Sequence, residues 1–425
     1  MRGKHWVSLL LTAMIIVGLT VSPMENAKAD IGSGGTGARS YQDASGNLFI
    51  GGTYIELGLS QTGSFGASKP APLTGSIFFH PDKLDVRRPY ENCIGLRSDG
   101  DGWETGNPPT TKDFFLPGDI DEGFPVLWSD TASGKPVVHA VGSQNGTKNV
   151  AITDEATSDE STPALLKAVS TGTLDNTLHY TQVVTFKPDD KQFKTVVTLK
   201  NISTSTVYNA NYIRRFDPDQ NVNSRNYKTD NYFFKDEAGG TWIVASSDSF
   251  GGSASSNYYP IDRHTALASC KNVFCFYSDD LRAEPMSGSI GFKDFSTSLS
   301  ASGDVGTYGS ALYDRHIYED KAMGIKFDIG TLAPGASTEF TYYSNLDPDV
   351  EGAVDKAEDV VINITQQPIS RTFVEGSIEG KLRTRGEVLI EGAAVTPTYQ
   401  WYQNTSASNV GGTPISGATG SDFEI

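Results

Sequence analysis

The chain has 425 residues and a formal net charge of −17, with 34 lysine and arginine residues against 51 aspartate and glutamate residues. Such an acidic chain repels the phosphates of nucleic acids and of anionic membranes, which excludes nucleic-acid binding as its main role. Three cysteines are too few for a disulfide scaffold, so hydrophobic burial must hold the fold.

The first 29 residues have the organisation of a secretory signal peptide. Arg2 and Lys4 form a short positive region, and an almost uninterrupted apolar run covers residues 6–21. The small-x-small pattern at Ala27 and Ala29 predicts cleavage after Ala29. The alternative is an uncleaved membrane anchor, which the run disfavours because a spanning helix needs roughly 20 apolar residues. We therefore expect a secreted or cell-surface protein.

The mature chain carries the alternation of apolar and polar residues that is typical of β-strands. The clearest hairpin is predicted over 178–201, with its turn at 188–191, and a third strand over 207–216 makes this region a meander. Further strands are predicted at 47–60, 76–79, 136–141, 240–245, 322–329 and 338–344. The fold class is therefore predicted as all-β, with a large antiparallel β-sandwich domain over residues 30–348.

Two acidic loops suit calcium, which takes about six to eight oxygen ligands. The first loop is Gly-rich and carries Asp99, Asp101 and Glu104. The second follows the strand predicted to end at residue 216 and carries Asp217, Asp219, Asn221 and Asn223. The first loop does not have the EF-hand spacing, and either loop equally suits a solvated turn capped by its own side chains. Calcium binding at one of them is a hypothesis.

Cysteine spacing predicts one disulfide. Cys270 and Cys275 flank a four-residue segment, which can bring two strand cysteines within bridging distance. In an exported protein they are expected to oxidise, leaving Cys93 reduced. The alternatives are two reduced buried thiols, or a bridge from Cys93 to either of the others.

Catalytic motifs are missing from the sequence, so no catalytic residue is predicted. Histidines are scattered without the spacing of a zinc site, at His80, His139, His179, His264 and His316. Neither a nucleophile elbow nor a phosphate-binding loop is present. Alternation predicts that Glu56 faces solvent or a cleft. Arg214 and Arg215 either pair with the nearby aspartates or bind a uronic acid, and pairing is the commoner arrangement.

The composition changes after residue 348. Residues 349–361 are predicted as an acidic linker or short helix, and residues 362–425 as a separate small β unit. Segments 364–382 and 397–425 resemble the immunoglobulin-like repeats of large bacterial surface proteins. By that resemblance Trp401 is the buried tryptophan of strand C, and Pro368 marks the entry to the first strand.

This immunoglobulin-like unit is predicted to be partial, because its length falls short of the roughly 100 residues of a complete sandwich. Sequence beyond residue 425 is expected to supply the missing strands and any cell-wall attachment. The alternative is a partner that donates those strands.

The larger domain more loosely resembles an N-terminal β-domain of exported bacterial multidomain proteins with immunoglobulin-like or cadherin-like repeats. The resemblance is carried by segments 51–67, 98–109, 114–128 and 211–223. The resemblance implies an exported protein in which this domain accompanies immunoglobulin-like or cadherin-like repeats. It assigns no catalytic residue to this chain.

The sequence favours a non-catalytic adhesion or binding protein on a bacterial cell surface, with an unknown extracellular ligand. The alternative is a secreted protein that binds carbohydrate, or a hydrolase or lyase that acts on it. In that alternative four aromatic side chains are candidate sugar platforms: Trp103, Trp128, Tyr258 and Tyr259.

Overall fold

The computed structural model describes residues 13–14, 37–66, 94–102, 113–115, 122–139, 141, 151–218, 228–236, 239–247, 259–261, 263–268, 273–288, 307–308, 312–346, 360–366, 380–390, 393–404 and 412–424. Within these residues the protein is all-β with one short helix, which confirms the predicted fold class. The chain divides into two compact units, Lys28–Val354 and a smaller unit of Met1–Ala27 with Asp355–Ile425. No helix in the described ranges has the length and apolar character needed to cross a membrane.

In chain order, the strands up to residue 139 are β1 (Ala13–Met14), β2 (Arg39–Gln42), β3 (Leu48–Gly51), β4 (Ile55–Leu59), β5 (Leu96–Ser98), β6 (Glu122–Gly123), β7 (Val126–Ser129) and β8 (Val137–His139). They are followed by β9 (Ile152–Asp159), β10 (Leu166–Leu174), β11 (Leu178–Phe186), β12 (Gln192–Asn201), β13 (Val207–Phe216), β14 (Thr229–Lys235), β15 (Thr241–Ser246) and β16 (Tyr259–Pro260).

Helix α1 (Arg263–Ala268) then precedes β17 (Phe274–Ser278), β18 (Ala283–Gly288), β19 (Thr307–Tyr308), β20 (Arg315–Glu319), β21 (Ala322–Leu332) and β22 (Ser337–Asn345). The C-terminal strands are β23 (Val360–Gln366), β24 (Lys381–Arg383), β25 (Arg385–Ile390), β26 (Ala393–Val395), β27 (Gln400–Gln403), β28 (Thr413–Pro414) and β29 (Asp422–Glu424).

Three antiparallel sheets build the larger unit. The large sheet has ten strands in the order β16-β20-β14-β15-β17-β22-β12-β11-β10-β9. The second sheet has the order β19-β18-β21-β13-β7-β8, with β6 also paired to β13. The small sheet has the order β2-β3-β4-β5.

The large and second sheets face each other as a β-sandwich. On β11 every second residue from Leu178 to Phe186 is buried in the core, and the residues between them are partly exposed. Aromatic rings join the two sheets: the centroid of Phe216 on β13 lies 4.5 Å from that of Phe274 on β17. Phe327 of β21 and Phe340 of β22 are 4.4 Å apart. Such pairs add specific packing to the hydrophobic burial that holds the fold.

The predicted hairpin is confirmed, but the predicted meander is wrong. β12 pairs with β22 in the large sheet, whereas β13 pairs with β21 and β7 in the second sheet. The Asn201 side chain turns the chain between them, donating to Ser205 O at 2.8 Å and accepting from Ser203 N at 3.0 Å. From Ala210 onward β13 is buried on both faces, which requires a central position in its sheet. The predicted strand 47–60 is two strands, β3 and β4.

The loop after β4 joins the small sheet to the sandwich. Tyr180 Oη donates to Thr62 O at 3.0 Å, and Thr157 Oγ1 donates to Ser60 O at 2.8 Å. Phe65 N donates to Glu122 Oε2 at 2.5 Å. These bonds fix the position of the small sheet within the larger unit.

The two edges of the large sheet differ in chemistry. β9 carries acidic side chains and an irregular register with β10, and Asp154 has a φ of 55°. The opposite edge, β16, consists of Tyr259 and Pro260. Proline has no backbone N–H to offer a further strand.

The smaller unit contains short sheets of order β23-β25-β26, β24-β29 and β1-β27-β28. Trp401 on β27 is fully buried, donates from Nε1 to Gly420 O at 2.7 Å and stacks on Phe423 with centroids 5.6 Å apart. This burial agrees with the expectation from the immunoglobulin-like resemblance, although membership of that family stays a prediction. Most of the predicted linker lies outside the described residues, and its last two residues already belong to β23.

Candidate functional site

An aromatic row crosses the outer face of the large sheet. Its members are direct cross-strand neighbours, Phe234 on β14, Trp242 on β15, Tyr277 on β17 and Tyr343 on β22. Successive centroids lie 5.4, 4.3 and 5.9 Å apart. The adjacent residues Phe233, Ile243, Phe276 and Tyr342 lie in the core, so alternation directs the row to the opposite face. All four rings are buried, which makes the row a rigid wall.

A carboxylate–imidazole pair lies on the same face. Asp230 of β14 and His316 of β20 are joined by a 2.7 Å contact between Oδ1 and Nδ1, and both side chains are buried. An ionised carboxylate only accepts hydrogen bonds, so Nδ1 carries the proton. In the neutral ring Nε2 is then an acceptor. Asp230 thus fixes both the tautomer and the orientation of the imidazole.

Tyr259 extends this group to the protein surface. It lies directly opposite His316 on the edge strand β16, with ring centroids 6.4 Å apart. Its side chain is 44% exposed, in contrast to the buried aromatic row. On the inward side of His316 the cross-strand neighbour is Tyr232 of β14. The edge therefore carries an exposed aromatic ring beside a buried imidazole of fixed orientation, and the exposed ring suits ligands with apolar faces.

Of the other predicted sugar platforms, Trp128 is 4% exposed and stacks on His139 with centroids 3.4 Å apart. His139 Nδ1 lies 2.7 Å from Asp175 Oδ2, and burial lowers the pKa of this imidazole. Trp128 therefore packs inside the protein and offers no open face. Trp103 and Tyr258 lie outside the described residues.

A second group of polar residues crosses the small sheet. Arg39, Gly51, Glu56 and Arg97 form one cross-strand row on β2 to β5. Gly51 has no side chain, and across it Arg39 Nη2 reaches Glu56 Oε1 at 3.2 Å. Glu56 is fully buried, so the prediction that it faces solvent or a cleft is wrong. Pairing with Arg39 permits the burial of this carboxylate.

Asp99 continues this row past the end of β5, because it lies two residues after Arg97 on the same face. It is 1% exposed, and neither carboxylate oxygen has a hydrogen-bond donor in acceptable geometry. Burial and then the adjacent Asp101 carboxyl raise the pKa of Asp99 to about 6, while the Asp101 backbone amide and Arg97 oppose the rise. Asp101 itself is exposed, and Glu104 of this predicted calcium loop lies outside the described residues.

The neighbouring carboxylate, Asp113, differs from Asp99 in its partners. It is fully buried and accepts backbone N–H bonds from Gly95 at 2.7 Å, Leu96 at 3.2 Å and Phe115 at 2.9 Å. Its role is to hold its own segment against β5.

The second predicted calcium loop begins at Asp217, which is buried just after β13. Asp219, Asn221 and Asn223 lie outside the described residues. Where the structure describes the chain, no group of three or more histidine, cysteine, aspartate or glutamate side chains is placed to hold a metal. Calcium binding stays a prediction.

Arg214 is buried and pairs with Glu122, with Nη2 2.5 Å from Oε1. Its Nη1 donates to Gly63 O at 3.2 Å and Gln182 Oε1 at 3.1 Å. Alternation on β13 directs this side chain inward. Asp219 lies outside the described residues, so the pairing of Arg214 and Arg215 with the nearby aspartates stays a prediction.

Cys275 is buried in β17. Cys270 and Cys93 lie outside the described residues, so the disulfide stays a prediction. His179 is an ordinary strand residue, as predicted, and its Nδ1 lies 3.1 Å from Thr173 Oγ1.

The Asp230–His316 pair was not predicted from the sequence. Its members are 86 positions apart and join only through the pairing of β14 with β20. No local spacing signals such a contact.

Comparison with known proteins found no matching family model and no curated protein of similar sequence. Solved structures with some likeness include a bacterial glucoamylase complexed with acarbose, at 9% identity and a TM-score of 0.37 over 82% of this chain. The heparan sulfate lyase HepC of Pedobacter heparinus is 13% identical, with a TM-score of 0.25 over 59% of this chain. The GH36 alpha-galactosidase AgaB of Geobacillus stearothermophilus is 8% identical, with a TM-score of 0.28 over 72% of this chain. This chain covers 37% of the length of the glucoamylase, 28% of the lyase and 40% of the alpha-galactosidase. Likeness at this level says nothing about what this chain binds.

Proposed function

We propose that this chain is a carbohydrate-binding protein of the bacterial cell exterior, which contacts glycans at the sheet edge formed by Tyr259 and His316. The observation that carries the proposal is the exposed Tyr259 ring beside an imidazole that Asp230 holds at 2.7 Å. A sugar ring packs its C–H face on an aromatic ring, while its hydroxyl groups need oriented polar partners. The export expected from residues 1–29 places such a site where glycans occur.

The charge of this region indicates the class of glycan. Glu319 and Asp320 follow His316 on the same segment, whereas Arg315 precedes it and Lys321 follows Asp320. Burial and then Glu319 raise the pKa of Asp320, while Lys228 and Lys321 lower it. The local charges therefore nearly balance, and neutral oligosaccharides are the expected ligands.

The test is a glycan-array screen of the mature chain, followed by titration of the hits with two matched variants. Tyr259→Ala is expected to weaken binding by about tenfold, because a lost aromatic contact costs roughly 1.4 kcal/mol. Tyr41→Ala is the control, since Tyr41 on the small sheet is similarly exposed, at 39% against 44%. Silence on all neutral glycans, or equal loss in both variants, would overturn the proposal.

A second candidate function is glycan cleavage by a hydrolase or lyase. The observation that favours it is again the Asp230–His316 pair, because a histidine oriented by a carboxylate is a common general base. Assays for reducing ends and for unsaturated products on the array hits separate the two functions. Turnover that His316→Gln abolishes, while the variant keeps its folded spectrum, would make the protein an enzyme.

A further inference from the structure

We propose that the glycan site continues along β20 from His316 to Tyr318 and takes at least two consecutive residues of a neutral oligosaccharide. This inference rests on the proposed function, because it adds a second aromatic contact to the site at Tyr259. What it adds is the length of the ligand, which Tyr259 alone leaves open.

The first observation is the position of Tyr318 on the sheet. Side chains two positions apart on a strand share a face, so His316 and Tyr318 both project from the outer face of β20. Tyr259 is paired directly with His316, which makes Tyr318 its diagonal neighbour. Diagonal neighbours on one face lie about 7–8 Å apart, a distance that aromatic side chains can cover. The two tyrosines therefore belong to one continuous patch along the edge.

The second observation is the change in exposure from this edge towards the middle of the sheet. Tyr259 is 44% exposed and Tyr318 is partly exposed. In contrast, Tyr232 and Phe234 on β14 are completely buried and stack on each other, with ring centroids 5.2 Å apart. A phenol combines an apolar ring with a polar hydroxyl, so it suits the boundary between protein and water. The aromatic surface that reaches solvent beside His316 thus includes both Tyr259 and Tyr318.

The third observation is the rigid support beneath Tyr318. Asp230 is the direct cross-strand neighbour of Tyr318 and also holds His316, with 2.7 Å between Oδ1 and Nδ1. Asp230 and His316 are both buried, so the surface between the two tyrosines is fixed. A surface that is already ordered loses little conformational entropy when a ligand binds.

An oligosaccharide matches two aromatic rings placed in line. Each sugar residue offers an apolar C–H face to an aromatic ring, while its hydroxyl groups bind polar groups or water. Two linked sugar residues can contact Tyr259 and Tyr318 at the same time, and the first contact raises the effective concentration of the second residue. A monosaccharide contacts one ring at a time. The affinity should therefore rise from one sugar residue to two.

The experiment titrates the mature chain by calorimetry with neutral sugars of one, two and four residues. The probes are the oligomers of cellulose, amylose, galactan, mannan and xylan. In each series that binds, the two-residue sugar is expected to bind at least about tenfold more tightly than the single sugar. If no series binds to folded wild type, the proposed function fails and this inference fails with it. Equal affinity for one and two residues would overturn this inference alone.

Variants assign the gain in affinity to Tyr318. Tyr318→Ala is expected to remove the gain, whereas Tyr318→Phe keeps the ring and should retain it. Tyr259→Ala should weaken the binding of one-residue and two-residue sugars alike. Tyr208→Ala is the matched control, since Tyr208 on β13 is also partly exposed but belongs to the second sheet. An unchanged gain in folded Tyr318→Ala would overturn the inference and leave the proposed function standing.

A measurement on wild type keeps the test decisive if Tyr318→Ala fails to fold. Tyrosine ring signals are followed by NMR in a chain labelled on tyrosine, and Tyr259→Phe and Tyr318→Phe assign the two signals by their loss. The two-residue sugar is expected to shift the signals of both Tyr259 and Tyr318. A shift at Tyr259 without one at Tyr318 would contradict the second contact but not the first.

Discussion

At the scale of single residues, Asp113 shows burial and hydrogen bonding acting in opposite directions on one carboxyl. Three backbone amides favour its ionised form, but burial outweighs them and raises its pKa from 3.8 to about 6. The folded protein therefore keeps this proton to higher pH than the unfolded chain does. The free energy of unfolding must fall as the pH rises from about 4 to about 6.

We predict that Asp113→Asn removes this part of the pH dependence. The difference in unfolding free energy between wild type and variant should change by about 3 kcal/mol across the window, since each pKa unit corresponds to about 1.4 kcal/mol. Urea denaturation at several pH values measures it. Comparison with the variant cancels the contribution of Asp99, which titrates in the same range. Parallel profiles for the two proteins would contradict the prediction.

The Arg214–Glu122 pair supports a second prediction, because both side chains are 1% exposed. Glu122→Gln keeps the shape of the side chain but leaves the arginine charge buried without its partner. We expect the free energy of unfolding to fall by about 3–5 kcal/mol. Glu284→Gln, in the more exposed pair with Lys326, should cost under about 1 kcal/mol. Chemical denaturation of both variants provides the comparison, and equal small losses would show that the buried pair is dispensable.

At the scale of elements, the loop between β4 and residue 66 connects the small sheet to the sandwich, and Gly63 is its most restricted position. Its φ is 79°, and an added Cβ would lie 2.5 Å from Ser170 Cβ. Its carbonyl accepts the bond from Arg214. Both the backbone conformation and the close contact therefore require glycine.

We predict that Gly63→Ala destabilises the protein more than Gly335→Ala does. Gly335 has nearly the same φ, 77°, but nothing within 4 Å of an added Cβ. The Gly335 variant should lose about 1–2 kcal/mol for the left-handed backbone alone. The Gly63 variant should lose about 1–3 kcal/mol more from overpacking. Thermal or urea unfolding of both variants tests this prediction. Equal losses of unfolding free energy would mean that the loop rearranges to accept the added methyl group without strain.

The sequence predicts elements better than it predicts their neighbours. Alternation depends only on local backbone geometry, so β11, β12 and β13 were found close to their true ends. The choice of sheet for β13 depends on partners far along the chain, and the meander was therefore wrong. The same limit applies to the sites. The burial of Glu56 depends on Arg39, which is 17 positions away, and the Asp230–His316 pair depends on the pairing of strands that are far apart in the chain.

At the scale of the whole molecule, the predicted export and the predicted disulfide together determine the mass expected for the mature protein. If the leader is removed after Ala29, the protein meets an oxidising compartment in which neighbouring cysteines form disulfides. We expect a mature chain that begins at Asp30, two hydrogen masses lighter than its reduced form. Non-reducing digestion and mass spectrometry should link Cys270 to Cys275 and leave Cys93 alkylatable. A cross-link to Cys93 would contradict the assignment, and a reduced sample is the control.

The acidic edge strand β9 has a consequence for how copies of this protein behave together in solution. An edge strand is where another molecule can add a strand of its own, and here Asp154, Glu155 and Asp159 lie along it. Two such edges repel each other because both carry negative charge. Salt screens that repulsion but leaves the buried apolar contacts between the sheets intact. High salt should therefore bring intact molecules together edge to edge, so that solubility falls while the protein is still folded.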